Sequence, residues 1–285
     1  MNSAPLKLSV VVPACDRPDQ LAKCLVRLAP GEQTWSASNY EVMVTDDSQG
    51  TSVRELIEKD FPWAKWTAGP RRGPAANRNH GAAQTKHDWI VFTDDDCLPD
   101  LNWLAGFAEA IQADAAPDAW EGATLAERPQ RYLDETAPLN THGGYLWSCN
   151  VAVRRIVFQH LNGFDERFMY ATMEDVDFRE RLKVAGHRFG FAPHAIVCHP
   201  WRIQSGFKAL DRYRKSFYLY LRLHPELSIR EQGLTHLRTA ARALLKEWPR
   251  YLLRGRIRGS GLQLAKVLVN AGMGLRMWLT SQVPA

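Results

Sequence analysis

The run Trp89-Ile90-Val91-Phe92-Thr93-Asp94-Asp95-Asp96-Cys97 joins an apolar segment to three consecutive carboxylates. Residues 89–93 are apolar or β-branched without polar alternation, the pattern of a strand covered on both faces. Three adjacent acids repel one another and cannot be buried unpaired. At the C-terminal end of a buried strand they can serve as oxygen ligands for a hard divalent cation. A solvated acidic turn is the alternative, and the flanking sequence weighs against it.

Upstream, residues 6–13 read as a first strand, and Asp16 as the cap of a helix with Pro18 in its first turn, where proline's missing N–H costs nothing. Residues 40–45 form a second strand ending in Asp46-Asp47-Ser48-Gln49-Gly50. Acids thus end two strands, and open α/β sheets bind ligands at the carboxyl ends of their strands. Residues 52–60 read as a short helix and 63–67 as a third strand. The loop 69–74 feeds residues 75–81, a helix start that favours anions, with Arg78 suited to a diphosphate or a base edge.

Downstream, Pro99-Asp100 opens a helix with Leu101, Leu104 and Phe107 at helical spacing. Four βα units in about 110 residues imply a largely parallel, doubly wound sheet. No GxGxxG follows the first strand and no GxxxxGK[ST] occurs, which disfavours a dinucleotide-binding domain and a P-loop NTPase. Residues 118–126 read as a strand, 127–144 as a polar, mobile loop near the site, 145–150 as extended chain and 151–161 as a helix. The segment 174–182 starts a helix whose first-turn acids complement its dipole. Residues 187–198 return as a strand with His199 at its end, a metal ligand if it faces the carboxylates.

With 285 residues, the chain is long enough for one large domain, or one domain plus an appendage. Its cysteines, Cys15, Cys24, Cys97, Cys149 and Cys198, are odd in number, scattered and without CxxC spacing. That argues against a disulfide framework or a zinc site and fits a reducing compartment. The first apolar run stops at Pro13, too short for a signal peptide, and the best candidate for a membrane span, residues 262–279, contains Lys266 and Arg276. The expected location is cytoplasmic, peripheral to the inner face of the membrane if the tail binds lipid.

The net charge of +5 hides an asymmetry: residues 201–285 hold 16 Lys and Arg against 4 Asp and Glu, while the rest of the chain is acidic. Arg238, Arg242, Lys246, Arg250, Arg254 and Arg258 recur every four residues beside an apolar helical face, with Pro249 as a kink or restart. A basic amphipathic helix followed by an apolar end suits an anionic membrane surface. The other reading is an appendage packed on the catalytic domain or on a second subunit of a homodimer. Nucleic acid is disfavoured, because no stacking platform or recognised motif accompanies the charge.

The ordered set of motifs resembles glycosyltransferase family 2 enzymes with the GT-A fold, over residues 6–225. The matching pieces are Val10 to Pro18, Asp46-Asp47-Ser48, Gly73 with Arg78, Asn79 and Gly81, Asp94-Asp95-Asp96, Gly163-Phe164-Asp165-Glu166, Glu174-Asp175-Val176-Asp177, and His199. Asn77, where the family usually has a small residue, and Cys15, where it commonly has an aromatic, depart from the pattern. The resemblance implies a GT-A catalytic domain over residues 1–205, with a donor half to about residue 100 and an acceptor half beyond it. Residues 206–285 would be a helical appendage.

The implied reaction is inverting transfer of a sugar from a nucleotide-sugar to a glycan or lipid-linked acceptor. Mg²⁺ or Mn²⁺ on Asp96, supported by Asp94 or Asp95, would act on the diphosphate, and a His199 ligand would favour Mn²⁺. Pro13, Ala14, Arg17 and Arg78 would line the donor, with Asp46 or Asp47 accepting a uracil-type N–H. Asp175 would be the general base, Glu174 would orient the acceptor, and Trp147 and Asn150 would contact it. Asp177 lies about 200° further round the helix and reads as structural. Two alternatives are a sugar-phosphate nucleotidyltransferase and a non-catalytic adaptor acting through the tail. The first expects glycine and lysine after the first strand, where residues 13–18 have neither; the second is disfavoured by Asp96 and Asp175 occurring together.

Overall fold

The computed structural model describes residues 5–50, 52–204 and 206–283. In chain order the elements are β1 (Leu8–Ala14), α1 (Pro18–Leu28), β2 (Tyr40–Asp46), α2 (Arg54–Asp60), β3 (Lys65–Ala68), α3 (Pro74–Ala83), β4 (Trp89–Thr93), β5 (Leu98–Pro99) and α4 (Trp103–Ala113). They continue with β6 (Ala119–Ala126), β7 (Glu135–Thr136), β8 (Asn150–Arg154), α5 (Arg155–His160), α6 (Glu174–Val184), β9 (Phe189–His199) and β10 (Arg202–Ile203). The last helices are α7 (Gly206–Leu223), α8 (Ile229–Arg242), α9 (Trp248–Leu252) and α10 (Ser260–Thr280), with a π-helical segment at Ala243–Glu247. The chain divides into two compact units, Met1–Glu127 with Pro138–Pro200, and Arg128–Ala137 with Trp201–Ala285.

The first unit is built on an eight-stranded sheet of order β3-β2-β1-β4-β8-β6-β9-β5. β1, β2, β3 and β4 pair in parallel, β8 runs antiparallel to β4 and β6, and β6 is parallel to β9. Alternation along β1 sorts the two cores: Val10 and Val12 join Leu21, Leu25, Ile57 and Phe107 on one face. Val11 joins Ile90, Phe92, Phe158, Phe164 and Phe178 on the other. Burying both faces under helices makes the strands near-continuous apolar runs and leaves polar residues to their tips. Gly81 lets α3 lie close on the sheet, since a Cβ there would come within 2.7 Å of Val11 Cγ1 and 2.8 Å of Thr45 Cγ2.

Two local expectations fail. The stretch 151–161 begins as the interior strand β8, and only residues from Arg155 turn into helix. Val151, Ala152 and Val153 are buried in register with Phe92, Val91 and Ile90, so sheet packing sets the state of this short run. Asp16 does not cap α1: it sits at φ 52°, and its carboxylate accepts the amides of Gln49 and Gly50 at 3.1 and 3.0 Å.

In the second unit, β7 pairs antiparallel with β10, and α8 and α10 pack around Ala240, Ala243 and Val267. Residues 128–137, expected as part of a mobile loop, belong here. Glu135 binds Arg128 Nη2 at 2.7 Å and the amides of Arg131 and Tyr132, and Gln130 accepts from the Tyr251 hydroxyl at 2.8 Å. Ser205, at the expected domain boundary, lies outside the described residues. Pro249 restarts the chain as α9 after the π-helical segment. Among the described residues no helix is long and apolar enough to cross a membrane.

Candidate active site

The site forms where β1, β2 and β4 end. Pro13 and Ala14 pair in register with Thr45 and Asp46, and the Ala14 carbonyl accepts the Asp47 amide at 2.9 Å. Asp46 has both carboxylate oxygens engaged, by the Ser48 amide, the Ser52 hydroxyl, the Val53 amide and Trp66 Nε1. Burial opposes its charge, but these donors prevail and hold its pKa below the ordinary range. Its task is to shape the turn into α2. Asp47 accepts the Arg71 amide at 2.7 Å, and burial raises its pKa. Of the two acids considered for the base, Asp47 keeps the less occupied carboxylate. Asn77 fills the space behind it, bonded to Thr45 and to the Ala14 carbonyl, so this larger residue is accommodated rather than disruptive.

The three acids after β4 have separate environments. Asp95 is fully buried, and Arg17 pairs with both of its oxygens at 2.5 and 3.2 Å. Burial, aided by Asp94 and Asp96 and opposed by Arg17, pushes its pKa up to about 7. Arg17 also reaches Asp96 at 3.1 Å, so it ties two acids together. Asp96 faces His199, whose Nε2 lies 3.8 Å from an Asp96 oxygen. His199 Nδ1 lies 2.7 Å from the Pro200 carbonyl. A carbonyl only accepts, so Nδ1 carries a proton, and Nε2 is the ring nitrogen turned toward Asp96, the one a metal would take. Asp96, Cys97 and His199 offer ligand atoms within 4.8 Å of one another. The Cys97 thiol, hydrogen-bonded to Cys149 and buried, has its pKa raised well above the ordinary value, which leaves the hard oxygen and imidazole donors as the fitting set.

Arg78 links this group to α6. Its guanidinium, almost fully buried, binds Asp94 at 2.6 Å and Glu174 at 3.2 Å. Burial disfavours its charge, but Asp94 and Glu174 outweigh that and hold it protonated. Burial, reinforced by Asp175, pushes Glu174 up to about 8. Asp175 is also raised, by burial against the pull of Arg78, and its side chain accepts the Ser148 amide at 3.4 Å and its own neighbour Val176 at 2.8 Å. Glu174 is buried, whereas Asp175 retains exposure. The strand-tip acids and the α6 acids therefore share one cluster. Asp177 turns away and pairs with Arg181 at 2.8 Å, as its helical position implies.

Trp147 stacks on Tyr145 with centroids 5.2 Å apart and planes 14° from parallel. Asn150, expected to touch the acceptor, is instead wholly engaged within the fold. It donates to the carbonyls of Ala123 and Ala195 at 2.8 and 3.0 Å and accepts from Trp103 Nε1 at 2.8 Å. An amide with its donors and its oxygen so occupied is a structural clamp.

One residue that spacing rules pass over is Glu121. It is buried in β6, and its carboxylate accepts from Asn140 Nδ2 at 2.9 Å, Tyr145 N at 3.0 Å, Leu146 N at 2.8 Å and the Gly144 amide. It thereby fixes the loop that carries Trp147 and Ser148. The available signal was a lone acid inside the otherwise apolar run of β6. Asn79, matched only as a motif residue, pins the following turn through the Phe164 amide and carbonyl at 2.9 and 2.8 Å.

A parallel-rich sheet whose strand tips gather acids, an arginine and a histidine opposite a second acidic pair defines a GT-A-type glycosyltransferase. The sequence model of glycosyl transferase family 2 matches residues 9–160, and the chain belongs to that family. Among relatives, it is 26% identical to glycosyltransferase AglE of Haloferax volcanii over 209 residues, covering 68% of this chain and 67% of that protein. Among solved structures, Staphylococcus aureus TarS 1–349 matches with a TM-score of 0.61 at 19% identity, covering 97% of this chain and 92% of that one. A mannosyltransferase from Pyrobaculum calidifontis, PcManGT, in complex with GDP-Man and Mn²⁺, matches with a TM-score of 0.61 at 18% identity, covering 96% and 90%.

Proposed function

We propose that the protein moves a sugar from a nucleotide-diphospho-sugar to an acceptor hydroxyl with inversion, and that Asp175 is its general base. The observation that carries this reading is the Arg78 bridge, which brings Asp94 on the strand tip and Glu174 on α6 to one guanidinium. Supporting it, Arg78 Nε, Glu174 Oε2 and Trp147 Nε1 are buried without hydrogen-bond partners among the described residues. Buried polar atoms of this kind ask for a partner, and a polyhydroxylated or phosphorylated substrate supplies one.

Asp96 and His199, with Asp94 nearby, are the residues that would hold a divalent cation, which when bound offsets charge on the departing diphosphate. Pro13, Ala14 and Asp47 border the nucleoside, with Asp47 accepting an imide N–H of a uracil-type base. Arg17 keeps Asp95 and Asp96 in register, and Arg78 faces the diphosphate. Asp175 removes the proton of the acceptor hydroxyl as that oxygen bonds to the sugar's anomeric carbon. The anomeric C–O bond to the diphosphate breaks with its electron pair passing to the nucleotide. Glu174, held by Arg78 beside Asp175, orients the acceptor, and the Trp147 face packs against a sugar ring. The basic, apolar-edged second unit fits a peripheral contact with an anionic membrane, and hence a lipid-linked acceptor.

Replacing Asp175 by Asn keeps the shape and removes the base. We expect Asp175→Asn to lower kcat by at least about a thousandfold, within the range general bases contribute, while nucleotide-sugar affinity changes little. Turnover within a few-fold of the unaltered protein would remove Asp175 from this role.

A further inference from the structure

The second unit holds a cavity of about 420 Å³, within the size range of small-molecule sites and assigned no role above. Its walls divide by chemistry. Leu133, Ala240, Ala243 and Val267 supply an apolar side, and Arg250 and Lys266 supply two cations. Among the described residues neither cation makes a direct ion pair, although Asp134 and Glu247 lie near enough to Lys266 to favour its charge; Arg250 is exposed and Lys266 half-buried. Two acids also reach the cavity, but both are occupied: Glu135 by Arg128 and two backbone amides, Glu247 by Arg242 at 3.0 Å. The wall includes part of the π-helical segment Ala243–Glu247, a departure from α-helical winding that is frequent at functional sites. Burial lowers the pKa of Lys266 below its ordinary value against the opposing pull of Asp134 and Glu247, so its ammonium is partly dehydrated and gains from a further anion.

We propose that this cavity binds a phosphate monoester carrying an apolar chain, the phosphate on Arg250 and Lys266 and the chain along Ala240, Ala243 and Val267. Arginine and lysine supply fork and point-charge donors for phosphate oxygens. The apolar wall accounts for an amphiphile rather than free phosphate. Because every lining residue belongs to the second unit, the proposal does not depend on the transfer reading.

The test is isothermal titration of the full chain with octyl phosphate below its micellar concentration, beside octanol and inorganic phosphate. Octyl phosphate is expected to bind saturably at one site, and each of the other two at least tenfold more weakly. The double variant Arg250→Gln, Lys266→Gln should lose at least tenfold in affinity. Ala243→Phe, which fills the cavity and keeps both cations, should lose as much. Circular dichroism and thermal unfolding of the same samples check that each variant is folded, and nucleotide-sugar titration reports separately on the active site. Octanol binding as tightly as octyl phosphate, no saturable binding, or both variants binding within twofold of the unaltered protein would overturn the proposal. Inorganic phosphate binding as tightly as octyl phosphate would overturn it as well, by removing the chain from recognition.

Discussion

Replacing Glu121 by Gln tests whether a buried carboxylate holds the loop beside the reaction centre. Oε2 accepts three donors, Asn140 Nδ2, Tyr145 N and Leu146 N, and Oε1 accepts the Gly144 amide. Glutamine can keep its one carbonyl oxygen among the three donors, but its NH₂ group then points at the Gly144 amide. One buried donor loses its partner, a loss of about 1–3 kcal/mol, and three charge-assisted bonds become neutral ones. A total near 3 kcal/mol is expected, or roughly 5 °C in Tm at about 2.1 cal/mol/K of unfolding entropy per residue over the 285-residue chain. Amide hydrogen exchange should speed up at residues 144–146 while the β1–β4 strands stay protected. Because the same loop carries Trp147 and the Ser148 amide that binds Asp175, the acceptor KM should rise more than the donor Kd. A Glu121→Gln protein with unchanged Tm and unchanged exchange at those amides would refute the argument.

Asp96→Ala should abolish the stabilisation that a nucleotide-sugar gives in the presence of Mn²⁺, and EDTA should do the same to the unaltered protein; thermal shifts with and without metal read both, and a metal-independent shift would count against the cation site. Glu174 is pushed up to about 8 from an ordinary 4.5, so between those values the folded protein binds more protons than the unfolded chain and stability falls as pH rises. Glu174→Gln should therefore flatten the decline in urea-unfolding free energy across that window, with a residual slope from Asp175, and an identical slope would contradict the assignment. On vesicles, the protein should prefer anionic over zwitterionic lipid and lose that preference at high salt. Leu253→Ser with Ile257→Ser, at positions 88% and 70% exposed, should weaken binding further; no preference between the lipids would end the membrane proposal.

The legible parts of the sequence were those where one physical demand acts on many residues at once. β1, β2 and β4 are buried on both faces, so their apolar runs and acidic tips were visible without neighbours. The parts that the sequence leaves open are decided by partners distant along the chain. Val151 to Val153 has the length and composition of either a strand or a helix start, and pairing with β4 and β6 settles it. Asp46 and Asp47 are indistinguishable as letters, yet Ser52, Val53 and Trp66 saturate one and leave the other available. Asn150 looked like a ligand for the same reason it is a good clamp: its amide has donors and an acceptor, and here Ala123, Ala195 and Trp103 take them.

A common thread runs through these cases. A buried polar residue must be satisfied by something, and the sequence shows the residue but not the satisfier. Where the fold supplies every partner, as for Asn150, Asp46 and Glu121, the residue holds structure. Where it leaves a buried polar atom without a partner in a site, as for Glu174 Oε2, a ligand is the completion proposed, and Arg78 ties that carboxyl to the strand-tip acid Asp94. The division also separates the effects of substitution. Changes at the satisfied residues should appear first in stability and exchange, whereas changes at Asp175 and Trp147 should appear in turnover and acceptor KM at nearly unchanged Tm.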